Sequence, residues 1–147
     1  MPSLLSRRAV NRILIVEDDE ASKFLIRELL ESVGYQTVTA GNGREALELL
    51  QSSRVSAIVT DLRMPVVNGL RLIRALRERG DTIPIVAISG VNADQLMLAE
   101  DYGANAGLTK PLDREEFLTV MRKVLSDTRD SWSDVWIHPE FGSVGDY

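Results

Sequence analysis

The sequence lacks cysteine, has a single histidine and is only 5% aromatic. Without cysteine the chain cannot form a disulfide framework or a thiolate zinc site, and it suits a reducing cytosol. Its apolar runs fall short of the roughly 18–20 residues that span a bilayer, and its first residues lack the apolar stretch of a signal peptide. A net charge of -5 gives no support to a nucleic-acid-binding protein with a broad basic face.

The composition is that of a globular protein. The 147 residues are 44% apolar and 27% charged, which predicts about one domain. We expect a loose leader over residues 1–11, a single domain over 12–126 and an acidic, aromatic tail over 127–147. The tail is too short for a helix-turn-helix or an enzymatic output domain, so we expect no output module in it.

The tail holds both tryptophans and the only histidine, His138. A pure linker is rarely this aromatic, and we hypothesise that the tail docks on its own domain or on a second copy. A disordered tail is the alternative. A lone histidine before a proline favours a loop residue over a phosphohistidine.

Five short apolar runs alternate with five helical patterns. The runs predict strands over 12–16, 35–40, 55–61, 83–89 and 106–110. Asp19, Asn42 and Asp113 are expected helix N-caps. Strands separated by helices pair in parallel, and right-handed crossovers give an α/β, doubly wound sheet with helices on both faces.

Two of the helical patterns predict which side chains are buried. In the first helix the expected apolar stripe consists of Phe24, Leu25, Leu29, Leu30 and Val33. In the helix over 70–79, Leu70, Ile73 and Leu76 occupy one face and arginines the other.

Charged and polar residues follow four of the five strands. Glu17 and Asp18 follow the first, Asp61 ends the third, Ser89 ends the fourth and Lys110 ends the fifth. The carboxyl ends of parallel strands share one edge of the sheet, where ligands bind. Three carboxylates, a hydroxyl and an ammonium group are therefore expected to converge.

Converging carboxylates require a cation, and a ligand set without histidine or cysteine suits a hard ion such as Mg²⁺. A lysine and a hydroxyl are suitable donors to phosphate oxygens, so the set predicts a phosphoryl-transfer centre. A carboxylate can itself be the nucleophile. Asp61 is the best candidate because it stands alone on the middle strand.

Four segments, "LIVEDDE", "VTDLRMPVVNG", "IVAISG" and "LTKP", together resemble the receiver domain of two-component response regulators, over roughly residues 12–126. The resemblance implies a flavodoxin-like sheet with strand order 2-1-3-4-5. It implies that Asp61 accepts a phosphoryl group from a phosphohistidine on a sensor histidine kinase or a histidine phosphotransfer protein. The domain would be bacterial and cytoplasmic, and it would catalyse only its own phosphorylation and dephosphorylation.

The resemblance also implies roles for individual residues. The implied Mg²⁺ ligands are Asp18, Asp61, the backbone carbonyl of Arg63, and Glu17 through water. Lys110 would pair with the phosphoryl oxygens, and Ser89 would move to bond them. That movement would change the face built from helix 4, strand 5 and helix 5, which a downstream protein target would bind. A phosphorylation-dependent homodimer is a further possible outcome. Pro111 matches the family's usual cis peptide.

The chain departs from the family pattern at Gly107, where an aromatic residue is usual. Either Ser89 and the backbone carry the switch alone, or another side chain such as Tyr102 substitutes. Arg63 and Val91 occupy positions that tune the lifetime of the acyl phosphate. A long basic and an apolar side chain should both hinder an attacking water, so we hypothesise a long-lived phosphoryl group.

Three alternatives bear on function. The chain could be a receiver cut from a larger hybrid kinase or response regulator. It could be a Mg²⁺-dependent phosphohydrolase, but that chemistry normally needs an acid two residues after the nucleophile, where Arg63 stands. Finally, "GNGREA" (41–46) fits a dinucleotide-binding pattern, but it follows strand 2 and lies beside four acids that would repel pyrophosphate, so turn chemistry and a helix cap are favoured.

Overall fold

The structure, a computed structural model, describes residues 10–64, 66–90 and 93–129. The predicted leader lies almost wholly outside the described residues. So do Val91, His138 and all but the start of the predicted tail. The elements in chain order are β1 Arg12–Val16, α1 Glu20–Glu31, β2 Gln36–Ala40, α2 Gly43–Ser52, β3 Ala57–Asp61, α3 Gly69–Glu78, β4 Ile85–Ser89, α4 Ala93–Tyr102, β5 Ala106–Thr109 and α5 Arg114–Arg129.

The five strands form one parallel sheet in the order β2-β1-β3-β4-β5, which confirms the predicted fold class. β3 is the middle strand, with β1 on one side and β4 on the other. Asp61 pairs in register with Ile88, and Ser89 pairs with Thr109. The ends of β1, β3, β4 and β5 therefore lie along one edge.

Alternation along each strand divides the core into two layers. In β1, Ile13 and Ile15 belong to the layer shared with α1 and α5, whereas Leu14 and Val16 belong to the layer shared with α2, α3 and α4. The apolar residues of β1 and all of β3 and β4 are buried, as expected of strands covered by helices on both faces. None of the helices in the described residues is long and apolar enough to span a membrane.

Side-chain oxygens cap four of the five helices. Asp19, Asn42, Asn68 and Asp113 each accept from the backbone N–H three positions on. Asn42 thus performs the capping role that the sequence favoured over a dinucleotide-binding turn. α5 continues to Arg129, three residues beyond the expected domain end at residue 126.

The predicted apolar stripe of α1 was partly wrong. Leu29 and Leu30 are buried, but so is Ile26, whereas Phe24 is 59% exposed and Leu25 is 45% exposed. Ile26, Leu29 and Leu30 share one face at the i, i+3, i+4 spacing. Phe24 and Leu25 lie about 200° and 100° around the helix from Ile26, so they face away from the sheet. Val33, 48% exposed, lies beyond the end of the helix.

Arg77 on α3 makes three hydrogen bonds to residues outside the helix. Its guanidinium donates to the Gly103 and Asp81 carbonyls and to the Asn105 side-chain oxygen, at 3.0, 2.8 and 3.0 Å. Asn105 also accepts from the Ile85 N–H. Arg77 therefore ties α3 to the segments that precede β4 and β5, at the edge opposite the carboxyl ends.

Candidate functional site

Three carboxylates meet at the carboxyl edge of the sheet, as the sequence predicted. Glu17 and Asp18 directly follow β1, and Asp61 is the last residue of β3. One oxygen from each lies within 4.8 Å of the other two, close enough to surround one cation. Glu17 and Asp61 are buried and Asp18 is exposed, so the cluster opens to solvent on one side.

Lys110 reaches the cluster from the far side of the sheet. Its ammonium lies 3.1 Å from Glu17 Oε1 and 3.5 Å from Asp61 Oδ1. Its backbone N–H donates to the Ser89 carbonyl at 2.9 Å, which aligns the segment after β5 with the end of β4. The peptide bond between Lys110 and Pro111 is cis, as the resemblance implied.

Ser89 ends β4 and is buried at the same edge. Gly90 follows it, and a Cβ at Gly90 would lie 3.5 Å from Lys110 Cδ, an ordinary contact. The lysine stem therefore runs beside the backbone that leaves β4. All the side chains that the sequence assigned to the site emerge at this edge.

The loop after β3 is held tightly against Asp61. Burial raises the pKa of Asp61, and hydrogen bonding from the Arg63 backbone acts in the opposite direction, so the start of the loop lies beside the acid. At the start of α3, a Cβ on Gly69 would lie 2.9 Å from the Leu62 Cα and closer still to the Asp61 carbonyl oxygen. Only glycine permits this approach, so the residue type at 69 helps to set the position of Asp61.

An open cavity of about 480 Å³ adjoins the carboxylates. It is lined by Asp18, Leu62, Arg63, Met64, Asn68 and Gln95. The exposed carboxylate of Asp18 and the loop after Asp61 thus border one open space together with Gln95 of α4.

The electrostatics of the cluster favour a cation. Burial raises the pKa of Glu17, and the negative charge of Asp61 adds to that effect. Burial also raises the pKa of Asp61, although Lys110 opposes the shift. For Lys110, burial lowers the pKa, but its hydrogen bonds and ion pairs with Glu17 and Asp61 outweigh this and the pKa is raised.

One ammonium does not compensate three clustered carboxylates, and the donor set is all oxygen. These features fit a hard divalent ion such as Mg²⁺. Asp18 and Asp61 could bind it directly, with the Arg63 carbonyl and Glu17 completing the protein ligands.

The four consecutive acids 17–20 have separate environments. Glu17 Oε2 accepts from the Asp19 N–H at 3.1 Å, while Asp19 caps α1 by accepting from the Ser22 N–H at 2.8 Å. These hydrogen bonds from Ser22 lower the pKa of Asp19. Glu20 pairs with Lys23 in the first turn. Only the first two acids of the run belong to the metal cluster.

Sequence reasoning missed Ser22. Lys110 Nζ donates to Ser22 Oγ at 3.3 Å, across 88 positions of sequence. The sequence offered one signal for it, a hydroxyl side chain in the first turn of the helix that follows Glu17 and Asp18. That signal is weak, because the helical pattern would have accepted an apolar residue there as well.

At Gly107, where the resemblance leads one to expect an aromatic residue, α4 packs directly on β5. A Cβ there would lie 3.2 Å from Leu96 Cδ2 and 3.4 Å from Leu96 Cβ. Tyr102 lies at the end of α4, with the Arg74 guanidinium 5.5 Å from its ring centroid. Leu96 therefore occupies the space that a side chain at 107 would enter.

Comparison with known proteins agrees with this geometry. The family model "Response regulator receiver domain" matches residues 13–122. The response regulator MprA of Mycolicibacterium vanbaalenii is 40% identical over 118 residues, and MprA of Mycobacterium ulcerans is 39% identical over 119. Each match covers 80% of this chain but 51% of the relative, so the chain spans about half the length of these curated relatives.

Solved receiver domains share the fold. The receiver domain of a signal transduction histidine kinase from Syntrophus aciditrophicus has a TM-score of 0.77 at 30% identity, covering 83% of this chain and 95% of that one. The receiver domain of the sensor histidine kinase PA1611 from Pseudomonas aeruginosa has a TM-score of 0.73 at 28% identity, covering 80% and 99%. The latter was solved with a magnesium ion coordinated in its active site cleft.

Proposed function

This chain belongs to the response regulator receiver domain family of two-component signalling, and we propose that it accepts a phosphoryl group on Asp61 in a Mg²⁺-dependent reaction. The observation that carries the proposal is the meeting of Glu17, Asp18 and Asp61 with Lys110 at the carboxyl edge of the sheet. A buried carboxylate beside two further acids and an ammonium group suits in-line attack on phosphorus.

Each residue of the site has a separate role in the proposed phosphoryl transfer. Asp18, Asp61 and the Arg63 carbonyl would hold Mg²⁺, with Glu17 bound to it through water, and the ion would supply neutralisation of negative charge on the transferred phosphoryl group. Asp61 supplies the attacking oxygen, and the bond from phosphorus to the donor nitrogen breaks as the bond to Asp61 forms. Lys110 pairs with the phosphoryl oxygens, and Ser89 bonds them after transfer.

The donor we propose is a phosphohistidine on a sensor histidine kinase or histidine phosphotransfer protein. Catalysis is confined to the domain's own phosphorylation and dephosphorylation, because Arg63 stands where a phosphohydrolase would carry its second acid. The output is a change in the face formed by α4, β5 and α5, read in the bacterial cytoplasm by a protein target or a second copy. The same site would serve a stand-alone receiver or one within a longer regulator.

Labelling with acetyl phosphate tests the proposal. Wild type should form a stoichiometric, Mg²⁺-dependent and alkali-labile adduct, and Asp61→Asn should not. Asp101→Asn makes the same chemical change at an exposed position on α4 and should label normally. Labelling that survives Asp61→Asn would overturn the assignment, and turnover of a small phosphate ester would favour the phosphohydrolase.

A further inference from the structure

The hydrogen bond between Lys110 and Ser22 places a helix residue within the candidate site. Ser22 lies in the first turn of α1 and is half-buried, 3.3 Å from the ammonium nitrogen. The contact joins α1 to the segment after β5.

The roles of the two partners in this hydrogen bond follow from their chemistry. An ammonium can only donate, so the Ser22 hydroxyl oxygen is the acceptor from Lys110. The Ser22 backbone N–H in turn donates to Asp19 at 2.8 Å, which caps this end of α1. The acceptor for Lys110 therefore lies on a capped helix end.

The ammonium has three donor hydrogens and three nearby acceptors: Glu17 Oε1, Asp61 Oδ1 and Ser22 Oγ. Two of these acceptors belong to the proposed metal ligands, and one of those two is the phosphoacceptor. Their oxygens change partners when Mg²⁺ binds and when phosphorus is transferred. Ser22 is neutral and is not among the proposed metal ligands, so neither step requires its hydroxyl oxygen as a ligand.

We infer that Ser22 is a positioning residue for the phosphorylation reaction, holding the Lys110 ammonium beside Asp61 while the carboxylates engage metal and phosphoryl group. The inference rests on the proposed function of Asp61 and Lys110. A lysine side chain has many rotamers, and a fixed acceptor reduces the number it samples before transfer. Ser22 touches neither metal nor phosphorus, so it acts through Lys110.

Ser22→Ala should therefore lower the rate constant for labelling by acetyl phosphate at saturating Mg²⁺ by roughly threefold to tenfold, the usual effect of one hydrogen bond. The Mg²⁺ concentration for half-maximal rate should stay unchanged, because no metal ligand is removed. Ser22→Thr keeps the hydroxyl and should restore most of the rate.

Ser32→Ala is the matched control. Ser32 lies at the other end of α1 and also accepts from a cation, with Arg114 Nη1 at 3.2 Å, so it reports on general damage to the helix. Thermal unfolding of each variant checks that the fold is kept. A Ser22→Ala rate equal to wild type, an equal loss in Ser32→Ala, or no rescue by threonine would overturn the inference. Failure of the proposed function looks different, since wild type would then not label or Asp61→Asn would.

Discussion

At the scale of single residues, the site is shaped by the cost of burying like charges together. Glu17 is 1% exposed and Asp61 is 7% exposed, and Lys110 supplies one positive charge between them. Burial is the largest cause of the raised pKa of both carboxyl groups, so the ionised form of each is disfavoured in the protein without metal. Unfavourable charge of this kind is what a divalent cation relieves.

The raised pKa values predict a pH dependence for the Mg²⁺-free protein. Glu17 and Asp61 titrate above their ordinary values of 4.5 and 3.8. Between those values and the raised ones, the folded state binds more protons than the unfolded state. The free energy of unfolding contributed by these two groups should therefore increase as pH falls through the raised pKa values toward the ordinary ones. The contribution of Lys110, whose pKa is raised, is lost only at high pH, above its ordinary value of 10.5.

Denaturant unfolding at several pH values, on wild type and on Glu17→Gln/Asp61→Asn, isolates this contribution. Asp19 has a lowered pKa and shifts the curve in the opposite sense, but it is common to both proteins. The difference between the two curves should shrink as pH falls. A difference in unfolding free energy that stays constant with pH would contradict the raised pKa values of Glu17 and Asp61.

Asp61→Asn should stabilise the Mg²⁺-free protein. The amide has nearly the same shape but carries no charge beside Glu17 and Asp18, and Lys110 keeps its bond to Glu17. We expect the free energy of unfolding at pH 7 to rise, because burial disfavours the charged form of Asp61 and the amide carries no charge. Urea unfolding in the presence of a chelator measures it, with Asp101→Asn as the neutral comparison. A loss of stability in Asp61→Asn would show that the ion pair with Lys110 outweighs burial.

At the scale of elements, α4 and β5 meet more closely than a side chain at position 107 would allow. Leu96 fills the space above Gly107, and Glu100 Oε2 would lie 3.6 Å from an added Cβ. α4 therefore rests on the backbone of β5. A shift at the end of β4 can reach this helix through packing, without an aromatic side chain turning inward.

Gly107→Tyr tests that packing. The ring should displace Leu96 and lower the free energy of unfolding by about 2 kcal/mol, as overpacking of an ordered contact does. Leu96→Ala should cost stability in the wild-type chain but recover part of the loss in Gly107→Tyr. Thermal unfolding of the four proteins gives the coupling energy between the two positions. Additive losses would mean that Leu96 and residue 107 do not share this space.

At the scale of the whole molecule, the carboxylate cluster forms only when the sheet is assembled. Glu17, Asp18 and Asp61 lie at the ends of the neighbouring strands β1 and β3, and Lys110 directly follows β5. In the unfolded chain these groups are scattered over 93 positions. A cation bound by them binds the folded state alone and stabilises all of it.

Mg²⁺ should therefore raise the unfolding midpoint of the whole domain. At a hundredfold excess over its dissociation constant, the expected gain is about 2.7 kcal/mol. Thermal unfolding followed by circular dichroism across a Mg²⁺ series measures it. Asp18→Asn removes one ligand and should shift the series to higher Mg²⁺, whereas Asp101→Asn should not. Equal responses in wild type and Asp18→Asn would place the ion elsewhere.

Much of the fold and site could be predicted from the sequence because the signals were local. Strands buried on both faces produce runs such as "ILIV" and "IVAIS", and capping residues mark the starts of the helices. Once the strands are parallel, the residues that follow them must share an edge, which is how Asp61 and Lys110 were placed together. The burial of α1 was harder, because Phe24, Leu25 and Ile26 are consecutive and all apolar. Only the sheet beneath the helix selects Ile26.

The alternation of strands and helices and the acids at strand ends follow from the sequence alone, and they set the chemistry of this edge of the sheet. The long-range partners that complete that chemistry depend on the tertiary fold. Three contacts show this: the hydrogen bond from Lys110 to Ser22, the hydrogen bonds that Arg77 makes outside α3, and the packing of Leu96 against Gly107. Each depends on where two distant elements pack. Local residue types limit the backbone conformation and the ligand set, but a contact between elements depends on distances and side-chain directions that only the folded chain has.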